Sequence, residues 1–127
     1  MAEVVLDASV LLAIFKDETY DEAVLDLVEG AVMSTVNVAE VLAKLTDLGL
    51  NVSPRVDVLL GLQDRMEPLS EAQARSSAAL RGPTRHAGLS LGGRACLALA
   101  LELDADVYTA DQAWSRVDVG VSINLIR

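Results

Sequence analysis

Aromatic residues are scarce in this chain, and cysteine and histidine are almost absent. Only 3% of the 127 residues are aromatic, and there is one cysteine and one histidine. A single cysteine cannot form an internal disulfide, and the position of Cys96 in an apolar run favours a buried, inert thiol over a nucleophile. Without a cluster of cysteine and histidine, the sequence offers no ordinary zinc site.

Long apolar runs are missing as well. No run approaches the length that crosses a membrane, and no basic segment precedes an apolar stretch at the N-terminus. We therefore expect a soluble, cytoplasmic protein with no membrane partner.

Positive charge is in short supply. The chain has ten Lys and Arg residues and 19 Asp and Glu residues, and its net charge is −9. This negative charge argues against broad electrostatic attraction to nucleic acid. However, no acid occurs between Glu71 and Glu102. That span contains Arg75, Arg81, Arg85, His86 and Arg94. Either a local basic face on an acidic body or a few solvated arginines would explain this distribution.

What the chain does contain is apolar residues in short, regularly spaced segments. Its length predicts one domain, residues 1–127. Strands are predicted at residues 3–7, 31–34, 106–109 and 121–124, with an extended link or edge strand at 65–69. Helices are predicted at 9–16, 21–28, 35–48, 53–63, 70–80 and 90–103, with a helical turn at 111–114 and a loop at 84–89 after the Gly82-Pro83 break. This alternation predicts an α/β fold, an α/β/α sandwich whose central, mainly parallel sheet is flanked by helices.

Three acids stand where strands end or shortly after. Asp7 ends the first strand, Glu40 lies early in the helix after the second, and Asp111 follows the strand at 106–109. Parallel strands end on one side of a sheet, so folding could bring these carboxylates together around a hard divalent cation such as Mg²⁺ or Mn²⁺.

Each acid also has a purely structural interpretation. Asp7 and Asp111 are well placed as helix N-caps. Glu40 precedes Lys44 by one helical turn and could form an exposed ion pair with it. The residues alone leave these alternatives open.

Four segments together resemble a known family. VVLDASVLLAIF, STVNVAEVLAKL, LSLGGRACLALALEL and DVYTADQAW resemble, in order and spacing, the PIN-domain nucleases, and most closely the VapC-type toxins of bacterial type II toxin-antitoxin systems. The resemblance covers nearly the whole chain. It implies a PIN-like fold and a Mg²⁺- or Mn²⁺-dependent endoribonuclease.

The resemblance also implies roles for particular residues. Asp7 and Asp111 match direct metal ligands, and Glu40 matches a ligand of a second ion or a holder of metal-bound water. Supporting positions near the site are matched by Ser9, Asn37 and Thr109. Arg94 and Arg85 are candidates for contacts to RNA phosphates, although arginines that extend from a helix into solvent explain them equally well.

One position departs from the family pattern. Gly93 stands where the family normally carries an acid that serves as a metal ligand, and we expect metal affinity and cleavage to be reduced in this chain. The glycine could be an introduced or selected inactivation or the mark of a naturally silent member. Alternatively, the three remaining acids could still hold one ion.

Partners follow from the same resemblance. VapC-type toxins usually form homodimers and bind a small VapB-type antitoxin, whose C-terminal segment covers the active site. The helices at 21–28 and 35–48 are candidates for an apolar groove that receives it, and an antitoxin arginine could enter among the three acids. The alternative function is a catalytically silent PIN domain that binds antitoxin or RNA.

The residues alone also suggest a phosphate-binding hypothesis. Gly92-Gly93-Arg94 at a helix start could cradle an anion, although no wider glycine pattern supports this. A phospho-acceptor domain would need a lysine late in the chain, but the only lysines are Lys16 and Lys44.

Overall fold

A parallel sheet of five strands forms the centre of the molecule. The structure, a computed structural model, describes residues 3–16, 23–61 and 65–127. The strands are β1 (Val4–Leu6), β2 (Val32–Ser34), β3 (Arg65–Glu67), β4 (Asp106–Thr109) and β5 (Ile123–Leu125). They lie in the order β3-β2-β1-β4-β5, and all four pairings are parallel. The predicted parallel sheet is confirmed, and the segment at 65–69 contributes the edge strand that Pro68 permits.

Helices cover both faces of the sheet and complete the predicted α/β/α sandwich. They are α1 (Ala8–Phe15), α2 (Val24–Val28), α3 (Thr35–Asp47), α4 (Pro54–Gly61), α5 (Glu71–Ala79), α6 (Arg81–Thr84) and α7 (Leu91–Leu103), with 3₁₀ turns at Arg85–Ala87 and Gln112–Arg116. None of the helices in the described ranges is long and apolar enough to cross a membrane.

The apolar run of β1 is divided between two hydrophobic clusters. Leu6 belongs to the cluster built largely from α1 and α3, whereas Val5 belongs to the cluster built largely from α7. Successive side chains of a strand point to opposite faces, so a parallel strand covered on both faces must be apolar at consecutive positions. This burial explains why the run at the start of the chain does not alternate with polar residues.

Serine side chains fix the starts of three helices. Ser34, Ser70 and Ser90 accept hydrogen bonds from the backbone N–H groups of Val36, Gln73 and Gly93, respectively. Such caps satisfy donors that have no partner within the helix. The caps predicted at Ser70 and Ser90 are confirmed, and they set the starts of α5 and α7.

One predicted segment was wrong. Residues 84–89, predicted as a loop, are largely helical, because α6 spans Arg81–Thr84 and a 3₁₀ turn follows it. Pro83 lies in the first turn of α6, where its missing N–H removes no helical hydrogen bond. The last strand, predicted at 121–124, is confirmed as β5, which spans Ile123–Leu125 and places Ile123 opposite Val107.

The ends of most other helices and strands differ from their predicted positions by one to three residues. Residues 17–22 and 62–64 lie outside the described ranges, and so do the start of the helix predicted at 21–28 and the end of that predicted at 53–63.

The strand order places a crevice at the end of β1. From this central strand the chain first builds β2 and β3 on one side, and later β4 and β5 on the other. In open parallel sheets, ligands bind at the carboxyl edge where the order of strands reverses. Asp7 immediately follows β1 at this edge.

Candidate functional site

The three sequence-predicted acids line one cavity at the carboxyl edge of the sheet. The cavity has a volume of about 350 Å³, and its lining includes Asp7, Glu40 and Asp111 together with Lys44 and Trp114. The folded chain therefore brings together side chains that are more than 100 residues apart in the sequence.

Asp7 is the buried acid of this cavity. Its side chain is 7% exposed, and its Oδ2 accepts hydrogen bonds from Ser9 Oγ at 2.7 Å and from Thr109 Oγ1 at 3.0 Å. Burial raises the pKa of the Asp7 carboxyl above its usual value, and the two hydroxyl donors oppose this rise. Asp7 occupies the N-cap position of α1, but its side chain makes no capping hydrogen bond, so the helix-cap alternative does not account for it.

The two hydroxyls also join the start of α1 to the end of β4. Ser9 Oγ accepts from the backbone N–H of Ala110 at 2.8 Å, and Thr109 Oγ1 accepts from the backbone N–H of Asp111 at 3.1 Å. Each hydroxyl therefore has an N–H donor on one side and the Asp7 carboxylate on the other. This network fixes the orientation of Asp7 and the start of the loop that carries Asp111.

Asn37 holds the second acid. Its Nδ2 donates to Glu40 Oε1 and to the backbone carbonyl of Gly92, both at 2.9 Å, and its side chain is fully buried between α3 and α7. Burial raises the pKa of Glu40, the negative charge of Asp7 adds to the rise, and the Asn37 hydrogen bond opposes it. In the described part of the chain Glu40 forms no ion pair with Lys44, so that structural alternative is wrong.

The carboxylate of Glu40 lies directly beside Gly92. A β-carbon built on Gly92 would overlap the Glu40 carboxyl group. Gly92 is the second residue of α7, and the N-terminal end of a helix favours negative charge. The space in which the Gly92-Gly93 turn could have cradled a phosphate is thus occupied by a carboxylate of the protein itself.

Asp111 has a capping role in addition to its place in the cavity. Its Oδ1 accepts from the backbone N–H of Ala113 at 3.0 Å and caps the 3₁₀ turn, as the structural alternative predicted. The residue is exposed at the cavity mouth. Within residues 3–16, 23–61 and 65–127, no three side chains of His, Cys, Asp or Glu are close enough together to hold a metal ion.

Gly93 lines the same cavity as the three acids but contributes no side chain. A β-carbon at this position would lie 3.0 Å from Trp114 Cζ2 and 3.1 Å from Leu89 Cγ. These contacts are tight, so a longer side chain would require the indole or Leu89 to shift by a few tenths of an ångström. Position 93, where the resemblance leads us to expect an acid, therefore faces this cavity.

The two candidate arginines lie elsewhere. Arg94 Nη1 donates to the backbone carbonyl of Ser77 at 3.0 Å, which ties α7 to α5, and Arg94 is not among the residues that line the acidic cavity. Arg85 lines a separate, neighbouring cavity.

Lys44, Trp114 and Leu89 also line the cavity, although they were not predicted to lie at the site. Lys44 had a signal, since it follows Glu40 by one turn on the polar stripe of α3. Trp114 and Leu89 had none, because apolar residues in a cavity wall look like core residues in a sequence.

The carboxylates of the cavity are of the type that binds a hard divalent cation, but within the described residues too few of them lie close together to hold one. Every candidate ligand is an oxygen, as Mg²⁺ and Mn²⁺ prefer, and the buried Asp7 carboxyl has hydroxyl groups rather than a cation among its hydrogen-bond partners. Gly93, which lines the cavity beside Trp114 and Leu89, supplies no fourth carboxylate.

Comparisons with known proteins agree with this architecture. The model of the PIN domain family matches residues 4–120. No match is found among curated proteins.

Solved structures share the fold. A chain of VapBC-5, a member of the VapBC family of toxin-antitoxin systems from Mycobacterium tuberculosis, is 25% identical, with a TM-score of 0.67 and coverage of 100% of this chain and 99% of that one. VapBC2 from Rickettsia felis, bound to a promoter DNA fragment, gives 17% identity, a TM-score of 0.72 and 98% coverage of both chains. A toxin-antitoxin complex from Klebsiella pneumoniae gives 18% identity, a TM-score of 0.69 and coverage of 95% and 100%.

Proposed function

Because the chain belongs to the PIN domain family, we propose that it is a VapC-type toxin, a metal-dependent endoribonuclease whose own cleavage activity is weakened by Gly93. The observation that carries this proposal is the convergence of Asp7, Glu40 and Asp111 on one cavity. The similarity to chains from toxin-antitoxin complexes supports the same assignment. RNA is the proposed substrate, and the cytoplasm the proposed location.

Each side chain has a defined part in this proposal. Asp7 and Asp111 would be direct ligands of Mg²⁺ or Mn²⁺, and Glu40 would hold a second ion or a metal-bound water. Such an ion would lower the pKa of a bound water and neutralise charge on the phosphate. Ser9 and Thr109 orient Asp7 through their hydrogen bonds, and Asn37 orients Glu40.

Restoring the missing acid tests the proposal. We would compare cleavage of total RNA by the chain and by its Gly93→Asp and Gly93→Asn variants, each with Mg²⁺, with Mn²⁺ and with chelator. Aspartate and asparagine have nearly the same size and meet the same contacts at Trp114 and Leu89, so they differ mainly in charge.

We expect the aspartate variant alone to cut RNA strongly, and only with metal. Equal turnover of the unchanged chain and the aspartate variant would contradict the proposed role of Gly93. Failure of all three to cut any RNA, under conditions where a known ribonuclease cuts it, would contradict the nuclease assignment.

The alternative function is a catalytically silent PIN domain that acts by binding its partner. The finding that favours it is that no three acids of the described residues are gathered closely enough to hold an ion. Trp114, the only tryptophan of the chain, lines the cavity and provides a probe. Quenching of its fluorescence by Mn²⁺ at micromolar concentrations would favour the enzyme, and no quenching at millimolar concentrations would favour the silent form.

A VapB-type antitoxin is the proposed protein partner, and a homodimer the proposed assembly. Apolar side chains are exposed on or beside the helices considered for this contact, among them Leu25 on α2, Leu42 on α3, and Leu48, which directly follows α3. The three acids could receive an arginine of the antitoxin. Light scattering after size-exclusion chromatography, with the chain alone and with its co-expressed antitoxin, tests both assemblies.

A further inference from the structure

A second cavity, lined by arginine, adjoins the acidic one. Arg81, Arg85, Gly88 and Leu89 line this cavity of about 260 Å³, and Gly88 and Leu89 also line the acidic cavity. The backbone at Gly88, whose φ of +67° turns the chain after the 3₁₀ turn, therefore forms a wall shared by the two cavities.

The two guanidinium groups of this cavity are uncommitted. Both arginines are exposed, and no carboxylate of the described residues pairs with either. They lie one turn apart, Arg81 at the start of α6 and Arg85 at the start of the 3₁₀ turn, so that both reach the same cavity.

The other two arginines of the acid-free span are less accessible to a ligand, because Arg75 is paired and Arg94 is half-buried. Arg75 forms an ion pair with Glu71 at 2.9 Å, and Arg94 donates to the backbone carbonyl of Ser77. Arg81 and Arg85 are therefore the two arginines of this span that are both exposed and without a carboxylate partner among the described residues.

Electrostatics favours cations near the acidic cavity. A polyanion that brings one phosphate to three carboxylates is repelled by their negative charge. Lys44 is the one basic side chain among the described residues that line the cavity. Cations beside the cavity would offset this repulsion by holding a neighbouring phosphate, and arginine offers a planar fork of donors suited to phosphate oxygens.

We propose that Arg81 and Arg85 form a phosphate subsite that binds the RNA backbone next to the phosphodiester in the acidic cavity, with the strand crossing the wall at Gly88 and Leu89. This inference rests on the proposed function for the identity of its ligand. It favours Arg85 over Arg94 as a phosphate contact and adds Arg81.

Binding without cleavage tests the subsite. A short, labelled single-stranded RNA is titrated in the presence of chelator, and its dissociation constant is followed by fluorescence anisotropy between about 50 and about 200 mM salt. The variants are Arg81→Gln, Arg85→Gln and the double substitution. Arg75→Gln is the matched control, because it removes the same charge from the exposed surface of α5.

We expect each cavity variant to weaken binding severalfold and to lower the slope of log affinity against log salt by about 0.7, the value for one phosphate contact on a single strand. The double variant should lower it by about 1.4. The control should leave the slope unchanged. Circular dichroism melting curves verify that the variants fold.

Three outcomes would overturn the subsite: no RNA binding by the unchanged chain, equal effects of the control and the cavity variants, or unchanged binding by the double variant. Loss of affinity for inorganic phosphate but not for RNA in the double variant would also overturn it, since the cavity would then take a free anion.

The two experiments distinguish failure of the phosphate subsite from failure of the proposed function. If Gly93→Asp cuts RNA while the arginine variants bind normally, only the subsite is wrong. If the arginine variants lose RNA binding and no variant cuts, the subsite stands and the nuclease assignment falls.

Discussion

The carboxylate of Glu40 lies beside the α-carbon of Gly92, in the space that a β-carbon at position 92 would occupy. Asn37 reinforces this contact, because its side-chain amide bonds to both the Glu40 carboxylate and the Gly92 carbonyl. The position of one acid of the cavity therefore depends on the absence of a side chain on a different helix.

Gly92→Ala should displace Glu40 without unfolding the protein. The clash is with the end of a flexible side chain, and alanine stabilises a helix by up to about 1 kcal/mol relative to glycine. In the Gly93→Asp background, we expect Mn²⁺ affinity, measured by Trp114 quenching, to fall about 10- to 100-fold. Gly61→Ala is the control, since nothing lies within 4 Å of its added β-carbon. Unchanged affinity in Gly92→Ala would show that Glu40 needs no such space.

Asn37→Ala should lower the free energy of unfolding by about 1–3 kcal/mol, because it leaves the Gly92 carbonyl and Glu40 without their shared donor. A double-mutant cycle with Glu40→Ala in urea denaturation should give a coupling of about 0.5 kcal/mol or more. Strictly additive effects would mean that the Asn37–Glu40 hydrogen bond contributes nothing.

Asp7→Asn should stabilise the metal-free protein at neutral pH. The pKa of Asp7 is raised in the folded state from its ordinary value of 3.8, chiefly by burial. The folded protein therefore binds the proton more tightly, and its stability declines as pH rises from about 3.8 through the folded pKa. Asparagine removes the buried charge, so the gain in melting temperature should be present at pH 7 and disappear below pH 4.

The control for this pH dependence is Asp118→Asn, which removes an exposed carboxylate at a distance from the cavity lining. A gain in melting temperature of the same size in both variants would point to net charge rather than to burial of Asp7.

Thr109→Val should lower the free energy of unfolding by about 1–3 kcal/mol, because a methyl group replaces the donor to Asp7 and the acceptor of the Asp111 N–H. The loss should be smaller at acidic pH, where Asp7 is protonated and its hydrogen bond from Thr109 is weaker. Urea denaturation at two pH values measures both effects. Thr46→Val is the control, since its hydroxyl bonds an exposed carbonyl within α3, and an equal loss there would contradict the argument.

Much of the fold could be predicted because local patterns and packing agree. The apolar run of β1 and the capping serines of α5 and α7 lie where their patterns placed them. The segment at 81–87 was missed because Gly-Pro reads as a break, although proline is compatible with the first turn of a new helix.

The candidate site, too, could be predicted from the sequence only in part. By itself, the sequence determined that Asp7, Glu40 and Asp111 follow strands, and a parallel sheet places the ends of its strands at one edge. The sequence also determined that position 93 has no acid. Only the tertiary structure decided how each acid is held. Two hydroxyls hold Asp7, and the Asn37 amide and the space beside Gly92 hold Glu40. Asp111 is held at the cavity mouth by its capping hydrogen bond. These contacts join residues far apart in the chain, so no local pattern encodes them.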